Sequence, residues 1–126
     1  MEKPPCILLV DDDPLILSLG QELLELLGYR VQEARDGEEA LRLFAGLPRA
    51  DLVVLDYNLP GLNGGEVLKL MREMDGGVPV LMASGFFEPE VAASLLEAGA
   101  AGLMEKPYRL AELDSRIKSV LGGPPG

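Results

Sequence analysis

The chain has 126 residues, of which 48% are hydrophobic and 25% are charged, and its formal net charge is −10. This length predicts one domain with its own core, and no apolar stretch approaches the length of a membrane span. The negative charge argues against direct binding of nucleic acid or an anionic membrane. Because the sequence contains no histidine and one cysteine, histidine-based catalysis is excluded and any metal should have oxygen ligands, as Mg²⁺, Mn²⁺ and Ca²⁺ do.

The first residues and the single cysteine indicate a cellular compartment. Residues 1–5 lack the basic and apolar regions of a secretory signal peptide. Cys6 cannot form an internal disulfide and opens an apolar run, so we expect it in the core. These features predict a soluble, cytoplasmic protein.

Apolar runs typical of buried strands alternate along the chain with amphipathic segments typical of helices. Cys6–Val10 predicts a buried strand, and Asp13 with Pro14 predicts a helix N-cap followed by proline at the first helical position. This first helix should extend to about Leu27 and stop at Gly28. Its predicted core face consists of Ile16, Leu19, Leu23 and Leu27.

Two later helices carry the spacing of a capping box, in which a polar N-cap is followed three residues later by glutamate. The pairs are Asp36 with Glu39, and Asn63 with Glu66. The first of these helices should run through Phe44, and the second should end near Met74.

The remaining elements continue the alternation. Further strands are predicted at Tyr29–Ala34, Leu52–Leu55, Pro79–Ala83 and Ala101–Glu105. Two more helices are predicted at Pro89–Ala98 and Arg109–Leu121. Residues 122–126, all glycine or proline, should form a flexible tail.

Five strands that alternate with five helices predict an α/β fold: a parallel sheet with helices on both faces and right-handed crossovers. Ligands of such sheets bind beyond the carboxyl ends of the strands, at the switch in strand order. Without repeats or a linker, residues 1–126 are interpreted as a single domain with its core at about residues 5–121.

Polar side chains follow four of the predicted strands and should meet at that edge of the sheet. They are Asp11, Asp12, Asp56, Ser84 and Lys106. The three carboxylates could hold a hard divalent cation, which would also relieve their mutual repulsion. Asp56 could then attack a phosphoryl group, with Lys106 and Ser84 neutralising and contacting it.

Each residue also has a simpler explanation. Asp56 could cap a turn, Ser84 could belong to a turn with Gly85, and Lys106 could be a surface charge. We accept such an explanation for Asp13, as a helix cap. Chance does not readily place complementary chemistry at four strand ends, so the joint interpretation is favoured.

The chain resembles the receiver domain of two-component response regulators over essentially its whole length. The matching stretches are residues 9–14, 54–64, 83–85 and 106–108. The resemblance implies a flavodoxin-like, doubly wound sheet with strand order 2-1-3-4-5, and a cis peptide bond between Lys106 and Pro107.

The resemblance also implies the function of the strand-end residues. Asp56 would accept phosphate from a sensor histidine kinase or a histidine phosphotransfer domain, and Ser84 and Lys106 would contact the phosphoryl group. Mg²⁺ or Mn²⁺ would be bound by Asp12, Asp56 and the backbone carbonyl of Asn58, with Asp11 holding a metal-bound water.

Three features depart from the pattern of this family or exceed it. Leu103 occupies the position at which many members carry an aromatic residue that swings inward, so we expect it in the core. Phe86 is hypothesised to exclude water from the phosphate, or else to contact a partner. The first helix also carries leucines beyond its predicted core face, namely Leu15, Leu17, Leu24 and Leu26. These could form a docking or homodimer face, or pack against the last helix.

Three classes of function remain open at this stage. The favoured one is a phosphorylatable signalling switch, whose chemistry is limited to its own phosphoryl gain and loss. The alternatives are a phosphorylation-independent interaction module and an aspartyl-nucleophile phosphatase, although Asn58 stands where such phosphatases have a second acid. The chain could be a free-standing regulator or part of a hybrid sensor kinase.

Overall fold

The computed structural model describes residues 3–122, in which five strands and five helices alternate. The strands are β1 (Cys6–Val10), β2 (Arg30–Ala34), β3 (Leu52–Asp56), β4 (Val80–Ser84) and β5 (Gly102–Glu105). The helices are α1 (Pro14–Leu26), α2 (Gly37–Ala45), α3 (Gly64–Met74), α4 (Pro89–Glu97) and α5 (Leu110–Leu121). Their bounds differ from the predicted ones by no more than one residue. Most of the predicted flexible tail, residues 123–126, lies outside the described part of the chain.

All strands pair in parallel in the order β2-β1-β3-β4-β5, so the predicted topology is confirmed. The register aligns the ends of neighbouring strands, with Val10 beside Leu55, Asp56 beside Ala83, and Ser84 beside Glu105. The carboxyl ends of four strands therefore meet at one edge of the sheet.

The sheet separates two apolar layers, because successive residues of a strand point to opposite faces. Leu8 and Val10 of β1 face the layer built with α2, α3 and α4, whereas Ile7 and Leu9 face the layer built with α1 and α5. Every residue of β1, β3 and β4 is buried. This is the pattern of central parallel strands covered on both faces. None of the helices within residues 3–122 is long and apolar enough to span a membrane.

The two predicted capping boxes form to different extents. At α3 the predicted capping box is confirmed, since the Asn63 side chain accepts from the Glu66 N–H and the Glu66 side chain accepts from the Asn63 N–H. At α2 only half of it forms. Asp36 accepts from the Glu39 N–H at 2.8 Å, but the Glu39 carboxylate accepts from the N–H of Arg35 instead of Asp36.

The predicted core face of α1 is confirmed in part. Ile16, Leu23 and Leu27 are half-buried and pack against the core between the sheet, α1 and α5. The fully buried residues of this helix are Leu17, Gly20 and Leu24, and Leu19 is half-buried. A Cβ on Gly20 would lie 2.7 Å from Leu9 Cδ2, so glycine lets the helix pack closely on β1. Because α1 is apolar on several faces, its periodicity alone could not indicate which residues are most deeply buried.

The packing of α1 also decides how its additional leucines are interpreted. Leu17 and Leu24 belong to the core between the sheet, α1 and α5, and so are not surplus surface. Leu15 and Leu26, by contrast, are 79% and 74% exposed. They remain available for the predicted docking or homodimer face.

Candidate functional site

The buried hydrophilic side chains within residues 3–122 all lie at the carboxyl edge of the sheet. Asp11 directly follows β1, Asp56 ends β3 and Ser84 ends β4, and each is at most 1% exposed. Burying a polar or charged side chain costs free energy unless partners compensate. The partners of these three side chains therefore define the chemistry of the edge.

Lys106, which directly follows β5, compensates both buried carboxylates. Its Nζ donates to Asp11 Oδ2 at 2.9 Å and lies 3.2 Å from Asp56 Oδ1. Burial lowers the pKa of the Lys106 ammonium, but the hydrogen bond to Asp11 and the charges of Asp56 and Asp11 outweigh it, so the net shift is upward. Lys106 is therefore a firmly protonated cation beside Asp56.

The carboxyl group of Asp56 has a raised pKa. Burial is the largest cause, and the negative charge of Asp11 adds to it. The Asn58 N–H, which donates to Asp56 Oδ1 at 3.1 Å, and the Lys106 ammonium act in the opposite direction. Asp56 thus has a carboxylate that is costly to keep ionised without a further cation.

The three acidic residues converge as the sequence predicted. Asp11, Asp12 and Asp56 each offer a carboxylate oxygen, and these oxygens lie within 4.8 Å of one another. Asp12 is exposed, so the cluster opens to solvent, and the Asp13 N–H orients Asp11 by donating to its Oδ1 at 2.9 Å. Hard oxygen ligands with one ammonium against three carboxylates fit a divalent cation such as Mg²⁺. The backbone carbonyl of Asn58 as a further ligand stays a prediction.

Ser84 is joined to two loops through its hydroxyl group. The Asn58 side-chain Nδ2 donates to Ser84 Oγ at 3.0 Å, and Ser84 Oγ donates to the backbone oxygen of Phe86 at 3.0 Å. From the sequence, Asn58 was expected to bind metal through its backbone carbonyl, and this side-chain contact was not predicted. An amide two residues beyond a strand-end aspartate was the available signal.

The two adjacent phenylalanines after Gly85 differ in exposure. Phe87 is half-buried and packs against Tyr57, with ring centroids 6.3 Å apart, whereas Phe86 is 68% exposed. Leu103 is half-buried and packs on the core. The hypothesised role of Phe86 in excluding water stays a prediction.

Gly64 sets the position of α3 against the end of β3. A Cβ at this residue would lie 2.5 Å from the Asp56 carbonyl oxygen and 2.6 Å from Tyr57 Cα, both of them backbone atoms. Glycine thus allows the helix to start directly against the strand that carries Asp56. The Lys106–Pro107 bond is cis, as the resemblance implied, and so is the Leu47–Pro48 bond, which was not expected.

With this geometry established, comparison with known proteins decides the family. The family model described as "Response regulator receiver domain" matches residues 7–118. The chain belongs to this family. Its members are receiver domains of two-component response regulators, in which accepting a phosphoryl group is the general function.

Individual relatives agree with this assignment. The transcriptional regulatory protein PrrA of Mycobacterium leprae is 43% identical over 117 residues, which are 93% of this chain and 50% of that protein. The receiver domain therefore spans about half the length of the curated relatives it matches.

Solved structures share the fold over most of their length. The chemotaxis protein CheY4 of Vibrio cholerae superposes with a TM-score of 0.87 at 30% identity, covering 93% of this chain and 98% of that one. A CheY in a complex with CheX, BeF₃ and Mg²⁺ from Borrelia burgdorferi also gives a TM-score of 0.87, at 28% identity, covering 93% and 89% of the two chains.

Proposed function

We propose that this receiver domain accepts a phosphoryl group on Asp56 in a reaction that depends on a divalent cation, and that this modification changes its conformation. The observation that carries the proposal is the environment of Asp56. Its carboxylate is buried at a strand end, lies 3.2 Å from the Lys106 ammonium and shares an acidic cluster with Asp11 and Asp12.

The reaction is the transfer of a phosphoryl group from a histidine nitrogen to a carboxylate oxygen. An Asp56 Oδ–P bond forms as the donor N–P bond breaks, and the electron pair of the N–P bond returns to the imidazole nitrogen, which is then protonated. Such transfer depends mainly on positioning and charge neutralisation. Lys106 supplies a fixed positive charge beside the acceptor oxygen, and Ser84 supplies a hydroxyl donor from the neighbouring strand.

Mg²⁺, or Mn²⁺ in its place, is the cofactor that the acidic cluster supports. Asp12, Asp56 and the Asn58 carbonyl would ligate it, and Asp11 would hold a metal-bound water. When bound, the ion neutralises charge that develops on the transferring phosphoryl oxygens. Lys106 alone cannot neutralise this charge, because its ammonium group already compensates the buried carboxylates of Asp11 and Asp56.

The phosphodonor is proposed to be a sensor histidine kinase or a histidine phosphotransfer domain in the cytoplasm. This chain contains no histidine, so the donor histidine must belong to another polypeptide or to a segment beyond this sequence. The exposed side chains Leu15 and Leu26 on α1 are candidate contacts for that partner or for a second copy of the chain.

Intact-protein mass spectrometry after incubation with acetyl phosphate and Mg²⁺ tests the proposal. We expect a mass increase of one phosphoryl group in the wild type and in Asp13→Ser, which keeps a side chain able to cap α1. Asp56→Asn should show no mass increase, and EDTA should abolish the increase in the wild type.

Unmodified wild type under all conditions would leave the phosphorylation-independent interaction module as the better explanation. Turnover of a small phosphate ester by the wild type would favour the phosphatase.

A further inference from the structure

The hydroxyl group of Ser84 has only one proton to donate, and that proton has an acceptor already. Ser84 Oγ donates to the Phe86 carbonyl at 3.0 Å and accepts from Asn58 Nδ2 at 3.0 Å, and the Phe86 N–H lies 3.4 Å from the same oxygen. Ser84 is 1% exposed, so this geometry is set by protein groups. A serine hydroxyl offers one donor and two acceptor positions.

The proposed phosphoryl transfer changes the demand on this hydroxyl. A phosphoryl group on Asp56 would present oxygen atoms that only accept hydrogen bonds, as the Phe86 carbonyl does. Ser84 can donate to one or the other, so the bond to Phe86 must be released. The bond from Asn58 uses a lone pair of Ser84 Oγ and not its proton, and is compatible with both states.

Asn58 also contacts the acceptor residue itself. Its backbone N–H donates to Asp56 Oδ1 at 3.1 Å, while its side chain donates to Ser84 Oγ. One residue therefore ties the acceptor carboxylate at the end of β3 to the hydroxyl at the end of β4. The next residue of that loop, Leu59, is 8% exposed, which anchors the loop in the core.

We propose that the side-chain amide of Asn58 is a positioning residue for phosphoryl acceptance. It holds the Ser84 oxygen near Asp56 while the hydroxyl proton exchanges the Phe86 carbonyl for a phosphoryl oxygen. This inference rests on the proposed function and deepens it, because it assigns the Asn58 side chain a task separate from that of its backbone carbonyl.

A double-mutant cycle with beryllofluoride as the phosphoryl analogue tests the inference. The proteins are the wild type, Asn58→Ala, Ser84→Ala and the double variant, each titrated with beryllofluoride at saturating Mg²⁺ by calorimetry. We expect Asn58→Ala to weaken binding about 2- to 10-fold, the effect of one net hydrogen bond. In the Ser84→Ala background the same substitution should have no further effect, since its target is gone.

Two controls separate this role from others. Mg²⁺ affinity without beryllofluoride is measured for all four proteins, so that any change in metal binding at Asn58 is separated from the change in beryllofluoride binding. Asn58→Ser, a second truncation of the amide, should reproduce the loss if Asn58→Ala proves too unstable to titrate. Equal losses in both backgrounds would overturn the inference, because Asn58 would then act directly on the phosphoryl group or on water.

Different results would contradict the proposed function and the role of the Asn58 side chain. Wild-type protein that takes neither beryllofluoride nor phosphate would contradict both. Wild-type protein that binds beryllofluoride, combined with additive effects of Asn58→Ala and Ser84→Ala, would contradict only the role of the Asn58 side chain.

Discussion

Two buried carboxylates share a single ammonium group at the centre of the site. Lys106 contacts Asp11 and Asp56 at 2.9 and 3.2 Å, and both aspartates are at most 1% exposed. A buried charge without full compensation opposes folding. The free protein therefore has an electrostatic cost at Asp56, and a bound cation would remove part of it.

The first prediction concerns the pH dependence of stability without metal. The pKa of Asp56 is raised above its ordinary value of 3.8, chiefly by burial. The folded state thus binds the proton more tightly than the unfolded state, so ionisation of Asp56 lowers stability as pH rises from about 4 through the raised pKa. Asp56→Asn lacks this loss, and above that window it should be more stable than the wild type in EDTA.

Urea unfolding of both proteins across this pH range measures the difference. The gap in unfolding free energy should widen with pH and narrow when Mg²⁺ replaces EDTA, because a cation stabilises the ionised wild-type site. A gap that is constant with pH would contradict the raised pKa of Asp56.

At the scale of elements, the contact between α3 and β3 provides the second prediction. Gly64→Ala should lower the free energy of unfolding by about 1–3 kcal/mol, because the new Cβ meets the backbone of Asp56 and Tyr57 and the helix must shift. It should also weaken beryllofluoride binding, since the backbone of Asp56 is what the helix displaces. Chemical denaturation and calorimetry provide the two measurements.

The adjacent glycine is the matched control for that substitution. A Cβ on Gly65 would lie 3.3 Å from Asn63 Oδ1 and 3.7 Å from Leu95 Cδ2, both side-chain atoms. Gly65→Ala should therefore change stability by less than about 1 kcal/mol, the range of helix propensity. Equal destabilisation by the two substitutions would show that contact with the backbone of β3 is not the cause, because helix propensity favours alanine over glycine at both positions.

Helix α1 provides a third prediction, which tests which of its leucines is more deeply buried. Leu17 is 3% exposed, whereas Leu19 is half-buried. Leu17→Ala should cost about 2–5 kcal/mol of unfolding free energy, as buried leucines do, and Leu19→Ala should cost clearly less. Urea denaturation of the two variants checks this, and the reverse order would contradict the burial of Leu17.

Local patterns predicted the elements well, but they could not decide how α1 packs. Strand and helix bounds depend on nearby residues: apolar runs, caps and the turn formers between them. The full burial of α1 around Gly20 depends on Leu9 of β1 and on Tyr108 in the segment before α5, whose side chains lie against this glycine. No feature within the helix sequence encodes those neighbours.

At the scale of the whole molecule, Cys6 is a buried residue at the start of a central strand. It is 1% exposed in β1, which is hydrogen-bonded to β2 on one side and to β3 on the other. Burial also raises the pKa of its thiol, so little reactive thiolate forms at neutral pH. The thiol should therefore report opening of the sheet as a whole.

The fourth prediction uses this thiol as a probe of global stability. Alkylation of Cys6, followed by mass spectrometry, should be slow in native buffer and fast in urea. Mg²⁺ with beryllofluoride should slow it further, because ligands that bind only the folded state stabilise it. Native labelling as fast as labelling in urea would contradict the burial of Cys6, and Cys6→Ala is the blank for other nucleophiles.

By itself, the sequence determined the order of elements, the α/β class, and which polar residues end the strands, because these follow from hydrophobic periodicity and from residues adjacent along the chain. Together with the resemblance, this was enough to identify Asp11, Asp12, Asp56, Ser84 and Lys106 as site candidates. Only the tertiary structure decided which residues of α1 are fully buried, that Lys106 serves two carboxylates, and that the Asn58 amide reaches Ser84. These contacts join residues far apart in the chain, and their distances depend on strand order, register and close packing.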